Sequence, residues 1–162
     1  MLHNIHNIPI YSSFIEQYAQ IVDQVCPMIM AVKINMIDDE PEHLPDYFKN
    51  NKLYERGCIQ SPFACKPQFS FQGTTYNDII MELYSSIGYS VEELHALIAH
   101  ELGHFAVKYS GQNLGYLLEE IEADRIAAQM GFKDNLKTAI VKMFAKATSV
   151  NKPILEQRLQ AL

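Results

Sequence analysis

The sequence predicts an α+β fold in a single domain spanning residues 1–162. Three observations carry that expectation. The first half of the chain holds two short apolar runs with strand character. The second half holds segments of helical periodicity, and no repeat, low-complexity tract or linker divides the two halves. The expected form is a small mixed sheet beside one long helix that packs on a second.

The elements follow in order. Residues 11–25 place Phe14, Ile15, Tyr18, Ile21, Val22 and Val25 on one stripe, as a helix would, and Pro27 marks a break after them. Residues 28–37 (MIMAVKINMI) read as a buried strand, and the acidic 38–45 (DDEPEHLP) as a loop. Residues 46–54 allow a helical turn or two. Residues 57–73 carry two prolines, two cysteines and little periodicity, which predicts a long loop with a short strand at 68–71. Residues 74–84 (TTYNDIIMELY) read as a strand, followed by a turn at 85–89. Ser90-Val91-Glu92-Glu93 has the pattern of a capping box and predicts a helix over 91–109, stopped by Ser110-Gly111. Further helices are expected over 114–130, ending at Gly131, and over 135–147, with Pro153 near the start of a short terminal helix.

Composition narrows the function classes. The 48% hydrophobic and 20% charged fractions are those of an ordinary globular domain, and a net charge of −6 argues against a nucleic-acid surface. No run approaches the ~20 apolar residues that span a bilayer, and the N-terminus lacks the pattern of a secretory signal. A cytoplasmic protein without membrane insertion is expected. Cys26, Cys58 and Cys65 form no metal-knuckle pattern and read as reduced thiols; a Cys58–Cys65 disulfide and a cysteine reaching into a site are the alternatives.

The chemistry concentrates at A-H-E-L-G-H-F, residues 99–105. His100 and His104 lie one turn apart on one helix face, a separation that lets both imidazoles reach one Zn²⁺ at about 2.0–2.1 Å. Glu101 is turned roughly 100° from His100, where a general base stands rather than a ligand. The pattern alone arises by accident in roughly one or two such chains per hundred. A catalytic zinc needs a third protein ligand, and the following helix supplies carboxylates at Glu120 and Asp124, again one turn apart. Glu120 is the candidate third ligand. Asp124 is suited to accept the free ring N–H of a zinc histidine and fix its tautomer. Ala96, Gly103 and Val107 flank the histidines, and Ala123 and Ala127 flank Glu120, so two helices can approach closely enough to share one ion.

HELGH at 100–104 followed by EIEADRIAAQ at 120–129 resembles the gluzincin zinc metallopeptidases, most of all the HtpX-like and CAAX-protease-like group, the ImmA/IrrE-type peptidases and the small soluble minigluzincins. The match covers about residues 84–132. The resemblance implies a zincin-like domain holding one Zn²⁺ on His100, His104 and Glu120. It implies Glu101 as catalytic base, Asp124 as partner of a zinc histidine, and a peptide or protein substrate whose bonds are hydrolysed by a metal-activated water. This chain lacks the transmembrane helices of the HtpX-like enzymes, so their membrane-protein substrates are not carried over.

Residues 78–83 (DIIMEL) resemble the edge strand that gluzincins offer to an extended peptide; the alternative is an internal strand with no ligand role. Tyr84, Tyr109, Tyr116, His95 and Arg125 are candidates by type for stabilising an oxyanion, and no spacing singles one out. A structural salt bridge is the favoured role for Arg125. His95 reads as a partly exposed helix residue, His3, His6 and His43 as incidental, and Lys133, Lys137, Lys142 and Lys146 as a solvated face. Two other classes stay open: a silent or latent zinc-binding regulatory protein, its cleft filled by 57–73 or by a cysteine, and a structural zinc domain, in which Glu101 has no task. Substrate preference and oligomeric state are not legible.

Overall fold

The computed structural model describes the backbone of residues 2–3, 9–26, 32–37, 63–71, 74–82 and 88–162, with side chains at 2, 9–26 and 88–162. The elements are β1 (Leu2–His3), α1 (Pro9–Val25), β2 (Val32–Ile37), β3 (Phe63–Phe71), β4 (Thr74–Glu82), α2 (Val91–Tyr109), α3 (Tyr116–Ala127), a π-helical segment (Ala128–Phe132), α4 (Lys133–Lys146) and α5 (Lys152–Ala161).

The expected α+β class is overturned. Of the residues described with side chains, 82% are helical. Among the described residues, every member of the buried core lies on a helix, on the π-helical segment or, for Cys26, immediately after α1. The described molecule is therefore a helical one, organised around α2. The physical reason lies in α2 itself. Leu94, Ala96, Leu97, Ile98, Ala99, Leu102, Phe105 and Val107 are all buried and point to every side of the helix. A helix that is apolar all round must be covered all round, and α1, α3 and α4 pack against it. Fully burying a leucine, isoleucine or phenylalanine contributes about 1.5–3 kcal/mol each, so α2 anchors the fold.

Local signals set the helix ends. Ser90 Oγ accepts the backbone N–H of Glu93 at 3.2 Å, and the Ser90 N–H donates to Glu93 Oε2 at 2.7 Å. The capping box thus starts α2 where the sequence places it. Pro9 opens α1, where its missing N–H costs nothing. Gly131 has φ +96°, a left-handed conformation that turns the chain from α3 into α4 without a separate loop. The terminal helix begins at Lys152 with Pro153 in its first turn.

The extended segments pair in the order β1-β2-β4-β3, with β3 antiparallel to β4 and the other pairs parallel. Of their side chains Leu2 is described, and it packs against the helical core. Of the two alternatives left open for 78–83, the described part of it, in β4, is the internal strand: β4 is paired on both sides, with β2 and with β3. β3 is longer than the short strand expected at 68–71, and its register shifts between Lys66 and Phe69, around Pro67. A proline, having no N–H to give, is tolerated in a strand at such an irregularity. Residues 46–54, Cys58, His6, His43 and Tyr84 lie outside the described residues. So do the side chains of Cys65 and His3, and with them the disulfide and cysteine-plug alternatives.

Two single-residue expectations change, and that of a reduced thiol at Cys26 does not. His95 is buried, not partly exposed, and lies edge-on to Phe14 and Tyr18 of α1 with ring centroids 5.6 and 5.4 Å away. Lys142 is not simply solvated: it donates to the Gly88 carbonyl at 2.8 Å and pairs with Glu93, tying α4 to the start of α2. Cys26 is a free, buried thiol, and burial pushes its pKa up to about 11. No helix of the described residues is long and apolar enough to cross a membrane.

Candidate metal centre

α2 and α3 form an antiparallel pair. His100 meets Asp124 while His104, one turn further along α2, meets Glu119 and Glu120, one turn back along α3. Gly103 lets the pair close. A Cβ built on Gly103 would stand 2.7 Å from the Ala123 carbonyl oxygen and 2.8 Å from its Cα, closer than real Cβ atoms come. The small flank expected from the sequence thus has its tightest point at Gly103 against Ala123.

The two imidazoles are held in a defined way. His100 Nδ1 lies 2.7 Å from Asp124 Oδ1, and His104 Nδ1 lies 3.2 Å from Glu119 Oε1. An ionised carboxylate only accepts, so both Nδ1 atoms carry a proton, which leaves Nε2 as the atom each ring can offer to a metal. Those two Nε2 atoms face each other at 3.1 Å. Glu120 completes the group: Oε2 is 3.5 Å from His100 Nε2 and Oε1 is 3.5 Å from His104 Nε2. Two ligands bound tetrahedrally to Zn²⁺ at ~2.0–2.1 Å stand about 3.3 Å apart. The observed separations of 3.1 and 3.5 Å bracket that edge. Two imidazole nitrogens and a carboxylate thus converge on one point, where a metal ion would take the place of a proton. The donor set, two imidazoles and one carboxylate with ligand atoms all within 4.8 Å of one another, fits a zinc ion.

Charge at the site is partly balanced from within the protein. Arg158, on α5 and 2% exposed, donates from Nε and Nη2 to the two oxygens of Asp124, each at 2.7 Å. Its Nη1 lies 2.7 Å from Glu120 Oε2. Burial alone would raise the Glu120 pKa. The hydrogen bond from His100, the Arg158 guanidinium and the two imidazoles outweigh it and carry the carboxyl down to about 2. Asp124 is lowered for the same kinds of reason, against its own burial. Burial and Arg158 push His100 down, but Asp124 and Glu120 prevail and hold it at about 9. Glu119 is lowered, first by its hydrogen bond from His104.

Among the residues singled out in the sequence, His100, His104, Glu120 and Asp124 come together in one cluster. Glu101 is buried on α2 next to His100, and its charge raises the pKa of Tyr11 on α1, second to that tyrosine's burial. Arg125 turns away and pairs with Glu122 one turn back on α3. His95 packs against α1 and takes no part in the cluster. Two members were missed by sequence reasoning: Glu119, adjacent to a residue already singled out, and Arg158, whose signal is a charge inside the apolar stripe Ile154, Leu155, Leu159 and Leu162. Beside His104 and Glu119 a cavity of about 300 Å³ opens, walled by Phe105, Val107 and Leu114 and rimmed by Lys108. No family model, curated protein or solved structure matches this chain.

Proposed function

We propose that the protein is a zinc-dependent peptidase that hydrolyses peptide bonds, with His100, His104 and Glu120 as the metal ligands and Glu101 as the general base. One observation carries the reading: two imidazole Nε2 atoms and one carboxylate converge, and a separate carboxylate fixes each imidazole from behind. The resemblance of HELGH and EIEAD to the gluzincins points the same way. Zn²⁺ held there would supply Lewis acidity, polarising a substrate carbonyl and acidifying water. The protein's own residues do the rest. Asp124 and Glu119 hold the Nδ1 side of each imidazole and keep the rings turned so that Nε2 faces the metal. Glu101, buried on α2 beside His100, takes the proton of the attacking water and passes it to the leaving amine. The cavity lined by His104 and Glu119 lies beside the cluster. We place this activity in the cytoplasm, where a thiol such as Cys26 stays reduced.

The burial of the cluster favours a second reading. His100, Glu101 and Glu120 are 4%, 5% and 8% exposed, so a zinc-holding protein that is silent in this closed form also fits. One experiment separates the two. Wild type and Glu101→Gln are loaded with Zn²⁺ and incubated with an unfolded protein and a peptide library. A peptidase cleaves as wild type and loses activity by a factor of at least about 10² as Glu101→Gln, with metal retained in both. Zinc in both and cleavage in neither supports the silent reading. Failure of the wild type to take up zinc sinks both.

A further inference from the structure

Arg158 reaches the cluster from α5, 34 residues beyond Asp124, and no motif on α2 or α3 calls for it. Three of its N–H groups are committed at 2.7 Å: Nε and Nη2 to the two oxygens of Asp124, and Nη1 to Glu120 Oε2. Nη2 also lies 3.4 Å from His100 Nδ1. A guanidinium is a rigid planar fork, so three bonds from one fork fix two carboxylates relative to each other. One of those carboxylates orients His100, and the other is the candidate third ligand.

We propose that Arg158 is the positioning residue of the metal centre. By occupying Glu120 Oε2 it leaves Oε1, the oxygen facing His104, to the metal, and by gripping Asp124 it sets the turn of His100. The docking of α5 and the binding of metal are then one event. This inference rests on the metal-centre reading above.

A plain electrostatic role makes the opposite prediction. If Arg158 served only to neutralise buried carboxylates, its charge would repel a dication a few ångströms away. Removing it would then raise metal affinity, and lysine would replace it without loss. If Arg158 positions Glu120, affinity falls when it is removed, and lysine, a single-point donor, does not restore the fork.

The test uses the full chain as wild type, Arg158→Lys and Arg158→Gln. Zn²⁺ affinity is measured by competition with a chromophoric chelator, ligand geometry by the visible absorption of the Co²⁺-loaded protein, and folding by the melting of the metal-free protein. Arg158→Lys, which keeps the charge, is expected to melt as a folded protein yet bind Zn²⁺ about ten- to a hundredfold more weakly. Its Co²⁺ spectrum is expected to shift. If Arg158→Gln fails to fold, Arg158→Lys carries the test alone. Two results overturn the proposal while leaving the metal centre intact: Arg158→Lys binding as tightly as wild type with an unchanged Co²⁺ spectrum, or Arg158→Gln binding more tightly. A wild type that takes up no Zn²⁺ overturns the underlying reading and this one with it.

Discussion

Glu119 and Asp124 do the same work for different histidines, but in different surroundings. Asp124 is buried and also bonded by Arg158, whereas the Glu119 side chain is 42% exposed. Water can replace part of what Glu119 gives His104, and no water stands ready to replace Asp124. Glu119→Gln is therefore expected to weaken Zn²⁺ binding by about tenfold, the low end for such partners, and Asp124→Asn by about a hundredfold. Chelator competition on both variants checks the order, and a Glu119 effect equal to or larger than that of Asp124 refutes this account. The difference in legibility between the two has a physical basis. Asp124 announces itself by standing one helical turn from Glu120. Glu119 is adjacent to Glu120, turned roughly 100° from it, and acquires its role only once α2 and α3 are known to run antiparallel. With His100 set against Asp124, that register brings His104 to Glu119 and Glu120. Arg158 was less legible still, because its partners lie on another helix; only its place in the apolar stripe of α5 hinted that a buried carboxylate awaited it.

Helices, unlike strand pairings, announce their own boundaries, and the contrast shows in which elements were readable. The span 91–109 follows from local residues at its two ends, Ser90 with Glu93 at the start and Ser110-Gly111 at the stop. Whether 78–83 is an edge or an interior strand depends on what lies on either side of it, which no local pattern records. The contact between α2 and α3 lies between these cases, since Gly103 signals a close approach without saying to what. The structure answers with the Ala123 backbone, and a mutation follows. Gly103→Ala gains about 1 kcal/mol of helix propensity but forces apart two helices whose backbones already touch, at a cost of about 1–3 kcal/mol. Net stability should fall by no more than about 2 kcal/mol. Metal affinity has no such compensation, because His100 and His104 ride on one helix and Glu120 on the other. We expect Gly103→Ala to retain most of its metal-free stability while losing at least about tenfold in Zn²⁺ affinity. Calorimetric titration beside a thermal melt reads both quantities, and unchanged affinity would mean that the helices separate without moving the ligands.

At the scale of the whole molecule, the α+β expectation failed for a reason that bears on the role of the metal. Strand-like runs in residues 28–84 were weighed as half the architecture, yet the described core is made where α1, α3 and α4 close over α2. That core includes Tyr11, Phe14, Leu97, Ile98, Leu102, Phe105, Leu136, Ile140, Met143 and Leu155, none of which touches a metal ligand's task. A domain of this size with such a core does not need an ion to fold, unlike a zinc finger, which is unfolded without one. The ion would instead act as an added cross-link between α2 and α3, extended to α5 through Arg158. Its effect on stability then follows from mass action. A ligand that binds only the folded state stabilises it by about 4 kcal/mol at a thousand times its Kd. For a domain of 150–250 residues each kcal/mol moves Tm by roughly 2–4 °C. Zn²⁺ at that excess should raise Tm by about 8–16 °C, and EDTA should return it to the metal-free value with the helical circular-dichroism signal intact. His104→Ala should keep the metal-free melt within a few degrees of wild type, since His104 is not a core residue, and should lose most of the zinc-induced rise. If chelation alone unfolds the protein, the helical core is not self-sufficient and the ion has a structural task. If Zn²⁺ leaves Tm unmoved, the imidazole pair and Glu120 are held together by protons rather than by a metal.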